Sequence, residues 1–224
     1  MIIAIDGPAG SGKTTTARKV AKRLGIMHIN TGAMYRGITF KLIEKKIDVS
    51  NISKINEILN NTLIKFSESY DNILFIDGIN MSNKINSYHV TKNVSFISAI
   101  PEVRKKMVEF QRQMASGKNV VLEGRDIGTV VFPDAEYKFF LNADIDVRAE
   151  RRRKDMQDEG ENLSIQEIID TLNDRDQKDA CRLNSPLIKA KDAIELNTTN
   201  ISIEEQVNFI INKVNNNQKG AFLL

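Results

Sequence analysis

The run GPAGSGKTT, beginning at residue 7, is built to hold a phosphate. It satisfies G-x-x-x-x-G-K-[ST] in full, with Gly7, Gly12, Lys13 and Thr14 at the defining places. Its glycines let the backbone curl until successive N–H groups point inward at phosphate oxygens. A helix starting near Lys13 adds the positive end of its dipole. Lys13 is placed to reach β and γ phosphates, and the Thr14 hydroxyl to ligate Mg²⁺ directly or through water. The whole cradle is Gly7, Pro8, Ala9, Gly10, Ser11, Gly12, Lys13, Thr14 and Thr15. Such a loop implies a nucleoside triphosphate but no particular reaction. The nearest string to a guanine-reading N-K-x-D, NKIN at 83–86, ends in Asn86. The nearest acid-bearing strand end, VVLEGRD, has Glu123 followed by Arg125 and Asp126, not the adjacent acids usual in a transport ATPase or helicase.

Arginines are the second chemical signal. A kinase acting on an anionic acceptor must bring two phosphates together and cancel their repulsion, which calls for several cations aimed at one point. The chain offers Arg36, Arg104, Arg125, Arg148, Arg151, Arg152, Arg153, Arg175 and Arg182 from separate segments. In DRDQKDACR (174–182), a helix would put Arg175, Asp179 and Arg182 on one face. A solvated face with an ion pair would read the same way. The phosphate loop tips the balance toward a ligand. TGAMYR (31–36) follows a strand and opens a helix, so Thr31 either caps that helix or binds a phosphate. Tyr35 is either packed or part of the site. His28 and His89 have no partnered spacing and read as structural, and Cys181 as a passive helix residue.

The elements that must position these groups follow from periodicity. IIAID, MHIN (27–30), NVVLEG (119–124), EYKFFLN (136–142) and AIELNT (193–198) read as strands. Helical spacing is expected over 14–24, 33–45, 87–99 and 101–116, the last with Pro101 in its first turn. Ser50 is read as the cap of a helix to about Asn60, Ser164 of one to about Arg182, and Ser202 of the last. DVRAERRRKDMQDEG is read as helical up to Gly160, and the Asn-rich end near 212–220 as frayed. Residues 62–86 break the rhythm with short β-rich runs and turn residues (Tyr70–Asn72 among them), and are expected to form about three antiparallel strands. Strands alternating with helices imply an α/β fold: a parallel sheet of about five strands with helices on both faces, a small antiparallel insertion and a helical lid. Ligands on such sheets bind beyond the C-terminal strand ends, where the Gly7 loop falls.

Composition sets outer bounds. The chain's 224 residues suffice for one sizeable core with small insertions. One cysteine allows no internal disulfide, which suits a reducing compartment. No stretch approaches 18 apolar residues, and MIIAIDG reads as too short for a signal peptide or a membrane span. A nucleic-acid platform would interleave aromatics with the basic clusters, but aromatics are only 6% and lie elsewhere. A silent nucleotide-binding subunit would not need an intact Lys13 and Thr14.

IDGPAGSGKTT, TGAMYR, EGRDIGTVVFPDA and RDQKDACR followed by PL, in this order and spacing, closely resemble the bacterial cytidylate kinase family, from Ile2 to about Ile210. The GRD-x-GTVVFPDA string separates that family from adenylate, guanylate and shikimate kinases. The resemblance implies transfer of the γ-phosphoryl of ATP to CMP or dCMP with Mg²⁺, by a cytoplasmic monomer that binds neither nucleic acid nor membrane. It implies that Arg36, Arg125 and Arg182 hold the acceptor phosphate beside Thr31, with Tyr35 alongside. Ser95, Arg104 and Asp126 would read the base, and Arg175 and Asp179 the ribose. The catalytic set would be Lys13, Arg125 and Arg182 with Arg148 and Arg152 from the lid. The core would comprise 1–30, 117–147 and 190–216, the acceptor-binding region 31–116 with its insertion at about 62–86, and the lid 148–189. The sequence departs mildly from the family at Thr31, where Ser is common, and at Lys178, Ala180 and Cys181.

Overall fold

The computed structural model describes residues 1–67, 73–158 and 163–221. Along the chain, β1 (Ile2–Asp6) runs through the phosphate loop into α1 (Lys13–Leu24), and β2 (Met27–Asn30) passes straight into α2 (Thr31–Glu44). Next come α3 (Ile52–Asn60), three short strands β3 (Ile64–Phe66), β4 (Leu74–Ile76) and β5 (Ile79–Asn80), then α4 (Tyr88–Ile97) and α5 (Pro101–Ala115). β6 (Val120–Gly124) turns through a π-helical segment, Ile127–Val131, into β7 (Tyr137–Asn142). The chain continues through α6 (Ile145–Asp158) and α7 (Ile165–Ala180) to β8 (Ile194–Asn197) and α8 (Ile203–Ala221).

The five long strands form one parallel sheet in the order β2-β6-β1-β7-β8. β1 is its centre, so the loop that follows it leaves from the middle of the sheet edge. Alternation along the strands divides two apolar cores. Ile3, Ile5, Val121, Phe139 and Leu141 pack against Ala17, Val20, Val207 and Ile210 of α1 and α8. Ala4, Val120 and Leu122 face the other way, toward Met34 and Ile38 of α2 and Val103 and Met107 of α5. A smaller seam of Ala149, Met156, Ile168 and Leu172 joins α6 to α7 and reaches Ala9 of the phosphate loop.

The expected antiparallel insertion is present as β3-β4-β5, with Ile64 opposite Ile76 and Phe66 opposite Leu74. These side chains are buried and share the core of α2. The expected turn at Tyr70–Asn72 lies outside the described residues, as does the helix end at Gly160.

One expected cap shifts by one residue, and of the two readings open for Thr31 the cap is not the one found. Asn51, not Ser50, caps α3, its side chain accepting from Lys54 N at 3.0 Å. Ser50 is instead tied by its own N–H to Asp48 Oδ1 at 2.9 Å, in the turn before the helix. Likewise Asn30 caps α2, accepting from Ala33 N at 2.8 Å, so Thr31 is the first helical residue and is spared that task. Ser164 caps α7 in a reciprocal box with Glu167, as the spacing predicts, though the helix ends at Ala180 with Cys181 as its C-cap. α8 runs on through the Asn-rich segment to Ala221, carried by the buried stripe Val207, Ile210 and Val214.

Candidate active site

The phosphate loop is shaped by what surrounds it. A Cβ on Gly7 would lie 2.0 Å from the carbonyl oxygen of Leu141 on β7, and the residue has a φ of 146°, so only glycine fits. Inside the loop, Lys13 Nζ donates to Pro8 O at 2.5 Å and to Ser11 Oγ at 3.2 Å. Lys13 is almost wholly buried, and burial, joined by the nearby charge of Arg125, pulls its ammonium well below the usual lysine range.

β6 ends beside the loop and brings one further acid to it. Glu123, buried at the strand's end, accepts from the Thr14 hydroxyl at 2.7 Å through Oε2. Its Oε1 lies 3.4 Å from His28 Nε2 on the neighbouring strand β2. Burial alone would raise the Glu123 carboxyl, but His28, the Thr14 hydrogen bond and the nearby charge of Lys13 outweigh it and hold the group below its ordinary value. His28 is thus part of the site's wall, not merely of the core. The signal for Glu123 was present, an apolar run ending in one acid. With no second acid beside it, pattern alone does not mark that strand end as a cation site. Asp6, at the matching end of β1, is also buried.

Around the next turn of sheet edge the arginines gather. Arg125 Nε donates to Asp179 Oδ2 at 2.8 Å, and Arg182 pairs with Asp179 Oδ1. One carboxylate on α7 therefore holds two arginines, one from the β6 loop and one from beyond the helix. Arg182 also donates to Ser98 Oγ at 3.0 Å, which ties in α4. Burial alone would raise Asp179, but Arg125, Arg182 and Arg175 outweigh it and keep the group below its usual range. Arg175 is pushed down to about 10, first by burial and then by Arg125, with Arg36 and Arg152 contributing. These five guanidinium-bearing residues therefore share one field. Asp179 thus joins Arg125 and Arg182 at one point of the sheet edge.

Arg104 of α5 pairs with Asp126 in the buried interior, and its Nη1 donates to Ser98 O at 3.2 Å. The Arg104 guanidinium lies 5.4 Å from the centre of the Tyr35 ring. The Nε atoms of Arg104, Arg175 and Arg182 are buried and make no hydrogen bond among the described residues. Buried donors of this kind are normally satisfied, so a bound acceptor suits them. Ser95 is half-buried on α4, its carbonyl accepting from Ser98 Oγ at 3.1 Å. Ser98, which nothing in the sequence marked, is the serine that joins the network. Thr31 donates to Glu123 O at 2.6 Å, and a Cβ on Gly124 would come within 2.9 Å of the Thr31 hydroxyl oxygen.

The lid-side arginines divide. Arg148 donates to Ala143 O at 3.0 Å and Ala9 O at 3.1 Å and pairs with Asp176. Arg151 donates to Thr198 O at 2.6 Å and Thr198 Oγ1 at 3.1 Å. Both fasten the outside of the phosphate loop to its neighbours. Arg152 acts within the shared field through its charge on Arg175.

Asp6 binds the π-helical turn: it accepts from Ile127 N at 2.8 Å and Gly128 N at 2.7 Å. Burial, opposed by these two hydrogen bonds, raises its pKa from 3.8 to about 6. In this window the folded chain keeps a proton that the unfolded chain has released. The contribution of Asp6 to stability is therefore full below pH 3.8 and is lost as pH rises through about 6. The change is about 3 kcal/mol. Melting temperatures of wild type and Asp6→Asn between pH 4 and 6.5 should diverge in slope, the variant lacking this loss. Parallel profiles would count against the shift.

A phosphate loop leaving the central strand of a parallel sheet, with cations converging from neighbouring strand ends, defines a phosphate-loop phosphotransferase. Comparison with known proteins narrows the class. The profile of the family described as cytidylate kinase matches residues 3–216. A cytidylate kinase of Clostridioides difficile (strain 630) is 44% identical over 215 residues, covering 96% of this chain and 98% of its own. One from Streptococcus gordonii (strain Challis) is 45% identical over 213 residues, covering 94% and 95%. The chain belongs to the cytidylate kinase family. Among solved structures it resembles a gluconokinase from Sinorhizobium meliloti 1021, with TM-score 0.51, 12% identity and coverage of 99% and 95%. It also resembles an uncharacterized protein from Eubacterium ventriosum ATCC 27560, with TM-score 0.53, 15% identity and coverage of 96% and 98%. At these identities the likeness is one of fold.

Proposed function

We propose that the protein transfers the γ-phosphoryl group of ATP to CMP or dCMP, giving ADP and CDP or dCDP. The observation that carries this reading is the buried Arg104–Asp126 pair set beside Arg125 and Arg182, which Asp179 joins. Cytosine offers an amino donor at N4 and acceptors at N3 and O2. A carboxylate and a guanidinium side by side can meet both kinds of group. Uracil would turn its O4 toward Asp126 and be repelled.

In this reading Gly7 to Thr15 hold the ATP phosphates, with Lys13 toward the β and γ groups. Arg36, Arg125 and Arg182 hold the acceptor phosphate near Thr31 and Tyr35. Ser95, Arg104 and Asp126 face the base, and Arg175 and Asp179 face the ribose. Residues 31–116 form the acceptor-binding region and 148–189 a lid over the donor, with Arg148 anchoring it and Arg152 turned toward the phosphates. No general base is needed, because the attacking phosphate oxygen is already anionic near neutral pH. Positioning and charge neutralisation carry the rate. The Thr14 hydroxyl and the adjoining Glu123 carboxylate fit Mg²⁺, a hard cation usually held by one or two protein oxygens with waters and substrate phosphates. Held by these two side chains, the cation would supply positive charge against the charge that develops on the donor phosphates. No helix among the described residues is long and apolar enough to cross a membrane. We read the protein as a cytoplasmic monomer that does not bind nucleic acid.

An assay of ADP release with CMP, dCMP, UMP and AMP tests the reading directly. CMP and dCMP should be turned over at least tenfold more efficiently than UMP or AMP, about 1.4 kcal/mol of discrimination or more. Equal use of AMP or UMP would overturn the acceptor assignment.

A further inference from the structure

The π-helical turn, Ile127–Val131, is held at both ends, and its second anchor lies outside the site described above. Asp6 grips the first two N–H groups. At the other end, Arg112 of α5 donates through Nε to Val131 O and through Nη2 to Val130 O, both at 2.9 Å. The wide turn then passes this grip back toward Asp126. Val131 N donates to Asp126 O at 3.1 Å, Val130 N donates to the same oxygen at 2.9 Å, and Phe132 N donates to Ile127 O at 2.7 Å. The Asp126 side chain in turn pairs with Arg104. Arg104 and Arg112 belong to the same helix, about 12 Å apart along its axis. The helix and the turn thus close a ring of contacts: Arg112 to Val131, Val131 to Asp126, Asp126 to Arg104.

We propose that Arg112 is a positioning residue for recognition of the acceptor base, setting the depth and angle of the Asp126 carboxylate by holding the far end of the turn that follows it. The inference rests on the reading of Asp126 as a base contact. A π turn makes such a support useful. Such turns are rare and commonly mark functional segments. Two charge-assisted bonds from one planar guanidinium also fix orientation, which a single bond would not. Arg112 lies on the exposed side of α5, so replacing it removes no apolar core.

The test compares Arg112→Ala and Arg112→Lys with wild type in steady-state assays using CMP, UMP and ATP. Arg112→Ala should raise KM for CMP about five- to tenfold, the scale of losing one or two hydrogen bonds. kcat and KM for ATP should stay within about twofold, and the preference for CMP over UMP should fall. Arg112→Lys, which can still reach one carbonyl, should recover part of the loss. Hydrogen–deuterium exchange on the free proteins supplies a readout independent of any substrate: the amides of Val130, Val131 and Phe132 should exchange faster in Arg112→Ala. Unchanged exchange would overturn the proposal. So would a variant with lowered melting temperature but unaltered KM for CMP and unaltered base preference, since that is what a purely structural arginine gives. KM values for ATP and CMP rising together would overturn it as well. A wild type that transfers nothing to CMP overturns the underlying reading, before any variant is compared, and takes this proposal with it.

Discussion

Replacing Lys13 with alanine is expected to lower kcat about a thousandfold, as removal of a preorganised charge at a phosphoryl group does. The folded chain should lose nothing in stability. Lys13 is buried, and its desolvation together with Arg125 and Arg175 outweighs the attraction of Glu123 and Asp6, so its surroundings on balance act against its charge. Deleting it relieves that repulsion while leaving a void where a flexible chain had packed. The melting temperature of Lys13→Ala should therefore match or exceed that of wild type. Loss of turnover with retained stability separates a residue kept for its work on phosphate from one kept for folding. Near-normal turnover in single-turnover assays would refute the assignment.

The second large effect is expected at Asp126. Asp126→Asn keeps the shape and one acceptor oxygen but leaves Arg104 a neutral partner in a buried place. Removing the charge from one side of such a pair is costly, because the other charge remains buried without compensation. The amide also turns a donor where the N4 amino group of cytosine needs an acceptor. kcat/KM for CMP should fall about a hundredfold, or about 3 kcal/mol. The value for UMP should fall much less, since uracil's O4 can accept from the new amide. The ratio of the two specificity constants is the decisive quantity. If Asp126→Asn discriminates between CMP and UMP as wild type does, the carboxylate does not read the base.

How these residues came to be readable differs from one to the next. Lys13 and Thr14 lie in a contiguous motif whose backbone shape is dictated by its own glycines, and β1 and α1 on either side follow from local periodicity. Arg125, Arg182 and Asp179 belong to segments far apart in the chain. Their types and their family resemblance drew attention to them, but their joining through one carboxylate is a tertiary fact. Asp179 holds two arginines at once, which its place in the sequence does not show. The caps at Asn30 and Asn51 were missed because Thr31 and Ser50 are equally good capping residues one position away, and only the backbone decides between adjacent candidates. The π turn left no trace, since a single turn of i→i−5 bonding repeats nothing that a pattern could show. Glu123 and Ser98 illustrate the same limit. Their significance comes from neighbours contributed by α1, α5 and the chain beyond α7.

α7 touches both halves of this site within one helical turn. Asp176 grips Arg148, which holds Ala9 of the phosphate loop, and Asp179 grips Arg125 and Arg182 on the acceptor side. The helix is therefore a common axle. Rolling it to improve one set of contacts necessarily shifts the other. On the proposed assignment, a nucleotide that favoured one setting of that axle would change the affinity of the opposite pocket, and thermodynamic reciprocity would make the effect equal in both directions.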